Sequence, residues 1–258
     1  MPPRCVAPWL ALCLGCLAAD SSDIRVVRFS EGKPFHMGKV TSMRVVSPDN
    51  GAKALTLNLS VSQAGSEFSQ HVHDYSDDTI LVLEGSADLR QGDSRTPMKA
   101  GTCAFVPQGQ IHGTITTTDE TVMISTQTPP DLVLYTGARD SSKPGAAPPK
   151  GVITPGAVKY VNFNDRTGFF VDTALGAKRV AVARRVLKKG ETYKAEGLPD
   201  GQQMVFVWKG AVSAASGKEH WAAGEKDTVL WQGSASVQVT GDSAQPTIVF
   251  HIQAPPNK

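Results

Sequence analysis

The chain of 258 residues is 40% hydrophobic and 19% charged, with a formal net charge of +2. That balance excludes a disordered chain and leaves room for one large domain or two ordinary ones. It also excludes a nucleic-acid binder, because the densest basic clusters, Arg184-Arg185 and Lys188-Lys189, form no stripe along a face.

Residues 1–19 differ from the rest. Arg4 is their one charge, an apolar run from Val6 to Leu17 follows, and Ala18-Ala19 precede the polar "DSSD". That order predicts a secretory signal peptide over 1–19, hence export to the periplasm or beyond. The run is too short to span a bilayer, which takes about 20 apolar residues, so no membrane insertion of the mature chain is expected. "CLGC" at Cys13 to Cys16 hints at lipid attachment on Cys16. Only Cys103 lies outside this segment, so the mature chain has no intramolecular disulfide. In its apolar setting, "CAFVP", Cys103 reads as a small buried hydrophobe.

The remainder contains a repeat. "GAKALTLNLSVSQAGSEF" (Gly51 to Phe68) aligns without a gap to "GAKRVAVARRVLKKGETY" (Gly176 to Tyr193), and the same shift aligns "TILVLEG" from Thr79 with "MVFVWKG" from Met204. After a small length adjustment, "QTPPD" from Gln127 matches "QAPPN" from Gln253. Two homologous units follow, 20–140 and 157–258, joined by a Pro/Gly/Ala/Ser-rich linker over 141–156. Short β-branched runs such as "ALTLNLSVS", "TILVLEGSADL", "TCAFVP" and "TVMISTQ", closed by Gly and Pro, predict an all-β chain of jelly-roll barrels.

In "GSEFSQHVHDYSDDTILVLEG", His71 and His73 stand two apart on a predicted strand and share one face. Asp78 opens the next apolar strand, and His112 follows the Pro-Gln-Gly turn of "GTCAFVPQGQIHG". Three imidazoles and one carboxylate converging inside a barrel suit a single divalent ion, Mn, Fe, Ni or Zn, with coordination positions left open.

These two stretches resemble the cupin superfamily. Its first motif is met by Gly65, His71, His73, Asp78 and Gly85, with Asp where Glu is usual; its second by Gly101, Pro107, Gly109 and His112, with Thr116 in place of Asn. The resemblance implies two tandem double-stranded β-helix barrels, a bicupin, with the metal inside the first. Asp is shorter than Glu by about 1.3–1.5 Å of reach. Asp78 is therefore either a direct ligand or a carboxylate that orients a ring, and Asp77 is the other candidate ligand.

In the second copy Glu196, Leu198, Gln203 and Ser236 stand where the first has His71, His73, Asp78 and His112. The second barrel is therefore degenerate, serving to pack or to complete the entrance of the first. Neither His220 nor His251 sits at a ligand position, and Trp208, Trp221 and Trp231 are core candidates. His36 carries no assigned role.

Asp74 and Tyr75 are candidate acid/base groups beside the histidines or solvated turn residues, and Glu67 has a similar status. On the Cys103–Val106 strand either face is free to line the barrel, and a lining Phe105 would favour an aromatic substrate. The leading expectation is a dioxygenase resembling the quercetin-dioxygenase-like bicupins, acting on a small enolic or aromatic compound. A non-oxidative lyase or isomerase and a non-catalytic binding module are the alternatives. Exposed sheet edges suit a homodimer, although paired barrels within one chain suit a monomer equally.

Overall fold

The computed structural model describes residues 24–166 and 168–255; the expected signal peptide lies outside them. The first half carries β1 (Arg25–Val27), β2 (Lys33–Met37), β3 (Val40–Val46), β4 (Leu57–Ser62), β5 (Glu67–His71) and β6 (Asp77–Glu84). It continues through β7 (Ser86–Gln91), β8 (Ser94–Lys99), β9 (Thr102–Val106), β10 (His112–Thr116), β11 (Thr121–Thr128) and the short helix α1 (Leu132–Tyr135). The second half carries β12 (Lys159–Asn162), β13 (Gly168–Val171), β14 (Ala181–Leu187), β15 (Thr192–Ala195) and β16 (Leu198–Lys209). It ends with β17 (Val212–Ser216), β18 (Glu219–Ala223), β19 (Thr228–Gly233), β20 (Val237–Gly241) and β21 (Thr247–Ala254). Among the described residues no helix is long and apolar enough to cross a membrane.

Two barrels result, each a large sheet facing a four-stranded one. In the first, β12-β9-β6-β11-β4-β3-β2 faces β5-β10-β7-β8; in the second, β1-β19-β16-β21-β14-β13 faces β15-β20-β17-β18. The outer strands are exchanged: β1 pairs with β19 of the second barrel, and β12 pairs with β9 of the first. We propose the same two units as the repeat suggests, 20–140 and 157–258, with these arms reciprocally swapped.

The strand sequences explain why the large sheets are buried on both faces. Along β6 Ile80 and Val82 point into the first barrel, whereas Leu81 and Leu83 point out. The outward residues meet their repeat counterparts: Leu57, Leu81, Phe105 and Ile124 share one apolar cluster with Val182, Phe206, Leu230 and Phe250. Each such side chain contributes roughly 1.5–3 kcal/mol when fully buried. Polar stitches flank this core in matching positions. Asp77 pairs with Arg179 at 3.0 Å, and the side-chain carbonyl of Gln202 accepts from the N–H groups of Lys53 and Ala54.

This arrangement settles the facing of β9. Cys103 and Phe105 belong to the core between the barrels, and Ala104 and Val106 line the interior. Phe105 therefore gives no support to an aromatic substrate. Burial pushes the Cys103 thiol far up, in keeping with a packing role. Trp208 lies in the shared core, while Trp231 fills the second barrel with Trp221 packed against its edge.

Candidate metal centre

The four expected residues meet at one end of the first barrel. One ligand atom from each of His71, His73, Asp78 and His112 lies within 4.8 Å of all the others, and all four residues are buried. Antiparallel pairing of β5 with β10 sets His71 directly opposite His112. The turn between β9 and β10 is fixed by Gly109, whose φ of +81° suits glycine and whose N–H donates to the His73 carbonyl at 2.9 Å. Gly113 allows the close approach that follows, since a Cβ there would stand 2.7 Å from the Phe68 carbonyl oxygen.

Each ring has its Nδ1 committed. His71 Nδ1 lies 3.0 Å from the Ser69 carbonyl, and His112 Nδ1 lies 3.0 Å from the Gln110 carbonyl. His73 Nδ1 lies 2.6 Å from Asp131 Oδ2. Carbonyls and carboxylates only accept, so Nδ1 carries the proton in every ring and the Nε2 lone pairs turn inward. His71 Nε2 and His73 Nε2 then face each other at 3.2 Å, while Asp78 Oδ2 sits 3.5 Å from His73 Nε2 and 3.4 Å from His112 Nε2. Lone pairs converging this closely in a buried space call for a cation. Nitrogen and oxygen ligands bind Zn²⁺ at about 2.0–2.2 Å, a span the cluster accommodates. The donor set therefore fits a divalent ion.

Burial and the neighbouring His112 and His73 hold His71 well below the usual imidazole range. Burial also disfavours charge on His73, but Asp131 and Asp78 outweigh it and raise that ring. Burial alone would raise Asp78, yet hydrogen bonds with His112 and His73 hold it low, as a carboxylate.

Asp78 reaches the cluster despite its short side chain. Gln127 Nε2 donates to its Oδ1 at 3.0 Å, and the Gln127 carbonyl in turn accepts from Thr56 Oγ1 and Asn58 Nδ2, both at 2.8 Å. Asp77 points away, accepting from the Gln108 N–H and pairing with Arg179.

The structure does not bring the expected acid/base candidates to the cavity. Tyr75 is 77% exposed, and Asp74 turns outward to Arg139 at 3.0 Å. Their places in a surface turn between β5 and β6 explain the difference. Glu67 pairs with Arg90 instead. The residue that sequence reasoning missed is Asp131. It caps α1 by accepting from the Val133 N–H, orients His73, and pairs with Arg139 at 2.6 Å. A signal existed: "QTPPD" ends in Asp where the second copy has Asn257.

Beside the cluster lies a cavity of about 40 Å³, room for roughly three waters at ~10–15 Å³ each. His71, Asp78 and His112 form one wall, and Phe68, Ile80, Met123 and Leu134 supply apolar surface. Every lining residue comes from the first half. The second barrel thus packs against the first without completing this cavity. Its own interior is filled: Arg185, Tyr193, Trp231 and His251 hold the repeat positions of Ser60, Phe68, Val106 and Ser125. His251 stacks on Trp231 and bonds to Gln203 at 3.0 Å, and burial drives its pKa down to about 3. Glu196 and Ser236, at the repeat positions of His71 and His112, still bond at 3.0 Å, but no imidazole stands with them.

Residues 58–127 match the cupin domain family model. Solved structures of oxalate decarboxylase from Bacillus subtilis share the two-barrel fold. One, concerned with that enzyme's Mn(II) centres, has a TM-score of 0.70 at 11% identity over 90% of this chain and 77% of that one. Another, determined at pH 4.6, has a TM-score of 0.69 at 12% identity, covering 90% and 76%. At such identities the likeness shows the fold alone. No curated protein sequence matches the chain. The architecture is bicupin-like, and among the described residues the ligand cluster lies in the segment that matches the cupin model.

Proposed function

We propose that this protein is a metal-dependent enzyme acting on a small organic molecule, and that its chemistry is non-oxidative, of the lyase or isomerase type. The observation that carries the reading is the convergence of three Nε2 lone pairs and the Asp78 carboxylate beside a small cavity. The fold shared with a decarboxylase favours bond cleavage without an oxidant, by analogy of architecture. A divalent ion held by His71, His73, His112 and Asp78 supplies Lewis-acid polarisation of a bound oxygen.

The chain's own residues do the rest. Asp131 fixes the plane of the His73 ring, and Gln127 fixes one Asp78 oxygen so that the other faces the histidines. Hydroxyl and amide groups on the far wall meet the oxygens of the substrate, while Leu134 and Phe68 shield it from bulk water. A dioxygenase is the second reading, favoured by a donor set that suits Mn, Fe and Ni as well as Zn. We further propose that residues 1–19 direct export.

Metal analysis followed by anaerobic turnover separates the two readings. Conversion of small carboxylates without oxygen supports the lyase or isomerase. Oxygen consumption tied to product, and no anaerobic conversion, would replace it with the dioxygenase. A retained ion with saturable binding and no product under either condition would leave only a binding module.

A further inference from the structure

From the charges around the cavity, and resting on the metal reading above, we infer that the site selects small monoanions that chelate through two oxygens and discriminates against dianions. Three neutral imidazoles, one carboxylate and a divalent ion leave a single positive charge at the cluster. The far wall of the cavity is polar but uncharged: Ser42, Asn58, Ser60, Thr114, Ser125 and Gln127. Its lining holds no lysine or arginine, and its only carboxylate is Asp78.

Beyond the lining, Arg44 lies over the Tyr135 ring at 4.8 Å and shares Asp49 with Lys33, whereas two further charged pairs cancel internally. Asp131 pairs with Arg139 at 2.6 Å, and Asp77 pairs with Arg179 at 3.0 Å. Asp74, which also reaches Arg139, lies at the surface, where water screens it. One negative charge on a ligand is therefore matched at the cluster. A second would be buried without a partner, which is strongly unfavourable. The cavity's volume limits the ligand to a few heavy atoms beyond those held at the cluster. The ring of hydroxyls suits oxygen-rich molecules: hydroxy-acids, oxo-acids or compact enolates. The second barrel offers an internal contrast, since Arg185 stands at the repeat position of Ser60. A cation is what the first cavity lacks.

The test compares glycolate, a two-oxygen monoanion, with oxalate, a dianion of similar size. Each is titrated into the Mn²⁺-loaded protein with the Mn²⁺ EPR signal as readout, and into free Mn²⁺ as reference. Free Mn²⁺ prefers the dianion. The inference expects the protein to reduce that preference at least tenfold. A preference for oxalate equal to or above that of the free ion, or reduced by less than tenfold, would overturn it.

Ser60→Lys, which adds a cation at the wall, is expected to restore the oxalate preference at least tenfold relative to the wild-type protein. An oxalate preference in Ser60→Lys no greater than that of the wild-type protein would also overturn the charge argument. Failure of the protein to retain Mn²⁺ at all would remove the metal reading and this inference with it. Retention with an unreduced oxalate preference would remove the inference alone.

Discussion

Asp131 Oδ2 lies 2.6 Å from His73 Nδ1, joining a residue just past the last strand of the first barrel to one of its first motif. The pair does more than steady a ring. By accepting the hydrogen bond from Nδ1–H it leaves the Nε2 lone pair free toward His71, His112 and Asp78, and by capping α1 it holds Leu134 against the cavity.

Removing that carboxylate should loosen the ion. Asp131→Ala is expected to weaken divalent-metal binding about 10–100-fold, the usual cost of losing a partner behind a ligand. Asp131→Asn retains an acceptor and a helix cap, so its loss should be smaller. Competition titration against a chelator of known affinity measures both. Unchanged affinity in a folded Asp131→Ala protein would deny the orienting role.

Gln127 is the second support. Its amide serves Asp78, Thr56 and Asn58 at once, deep in the barrel. Gln127→Leu has similar bulk but leaves those groups unpaired, at a cost of roughly 1–3 kcal/mol of stability. Urea unfolding of the metal-free protein should show the loss as a lower midpoint with an unchanged slope.

How much of this was legible beforehand follows from which interactions are local. His71, His73, Asp78 and His112 were readable because two-residue alternation and a Pro-X-Gly turn fix their facing within short segments. The loss of ligands in the second barrel was equally readable, since the repeat supplies its own comparison. Asp131 was not, because its partner is 58 residues away and its segment carries no strand pattern. The facing of Phe105 was hidden for a related reason: both faces of β9 are apolar, one lining the barrel and the other meeting the second barrel. The exchange of β1 and β12 depends on the docking of the barrels, which no local pattern encodes.

Because the largest apolar cluster lies between the barrels, they should unfold together. Phe206, fully buried there, is expected to cost about 3–5 kcal/mol when replaced by Ala. Calorimetry should show one transition shifted downward. A new early transition confined to one barrel would mean that each stands without the other.

Asp140 provides a pH-dependent contribution away from the cluster. Burial pushes its carboxyl up, but hydrogen bonds from Ser142, Ser69 and the Gly38 N–H outweigh that and hold it at about 2. An unfolded Asp titrates near ~3.9, so the folded value is depressed and the stabilisation is present above about pH 4. It is lost as the pH falls through about 2. Asp140→Asn should therefore lower the melting temperature at pH 7, with the gap to wild type closing between about pH 4 and pH 2. A gap that stays constant over that range would assign the effect to something other than the carboxylate.

The central claim is that His71, His73, Asp78 and His112 hold one divalent ion. Elemental analysis of the purified protein beside the His71→Ala/His73→Ala double variant tests it most directly. We expect close to one equivalent of Mn, Fe, Ni or Zn in the wild-type protein and none above background in the variant. No metal in the wild type, even after reconstitution with each ion in turn, or equal metal in both proteins, would contradict the account.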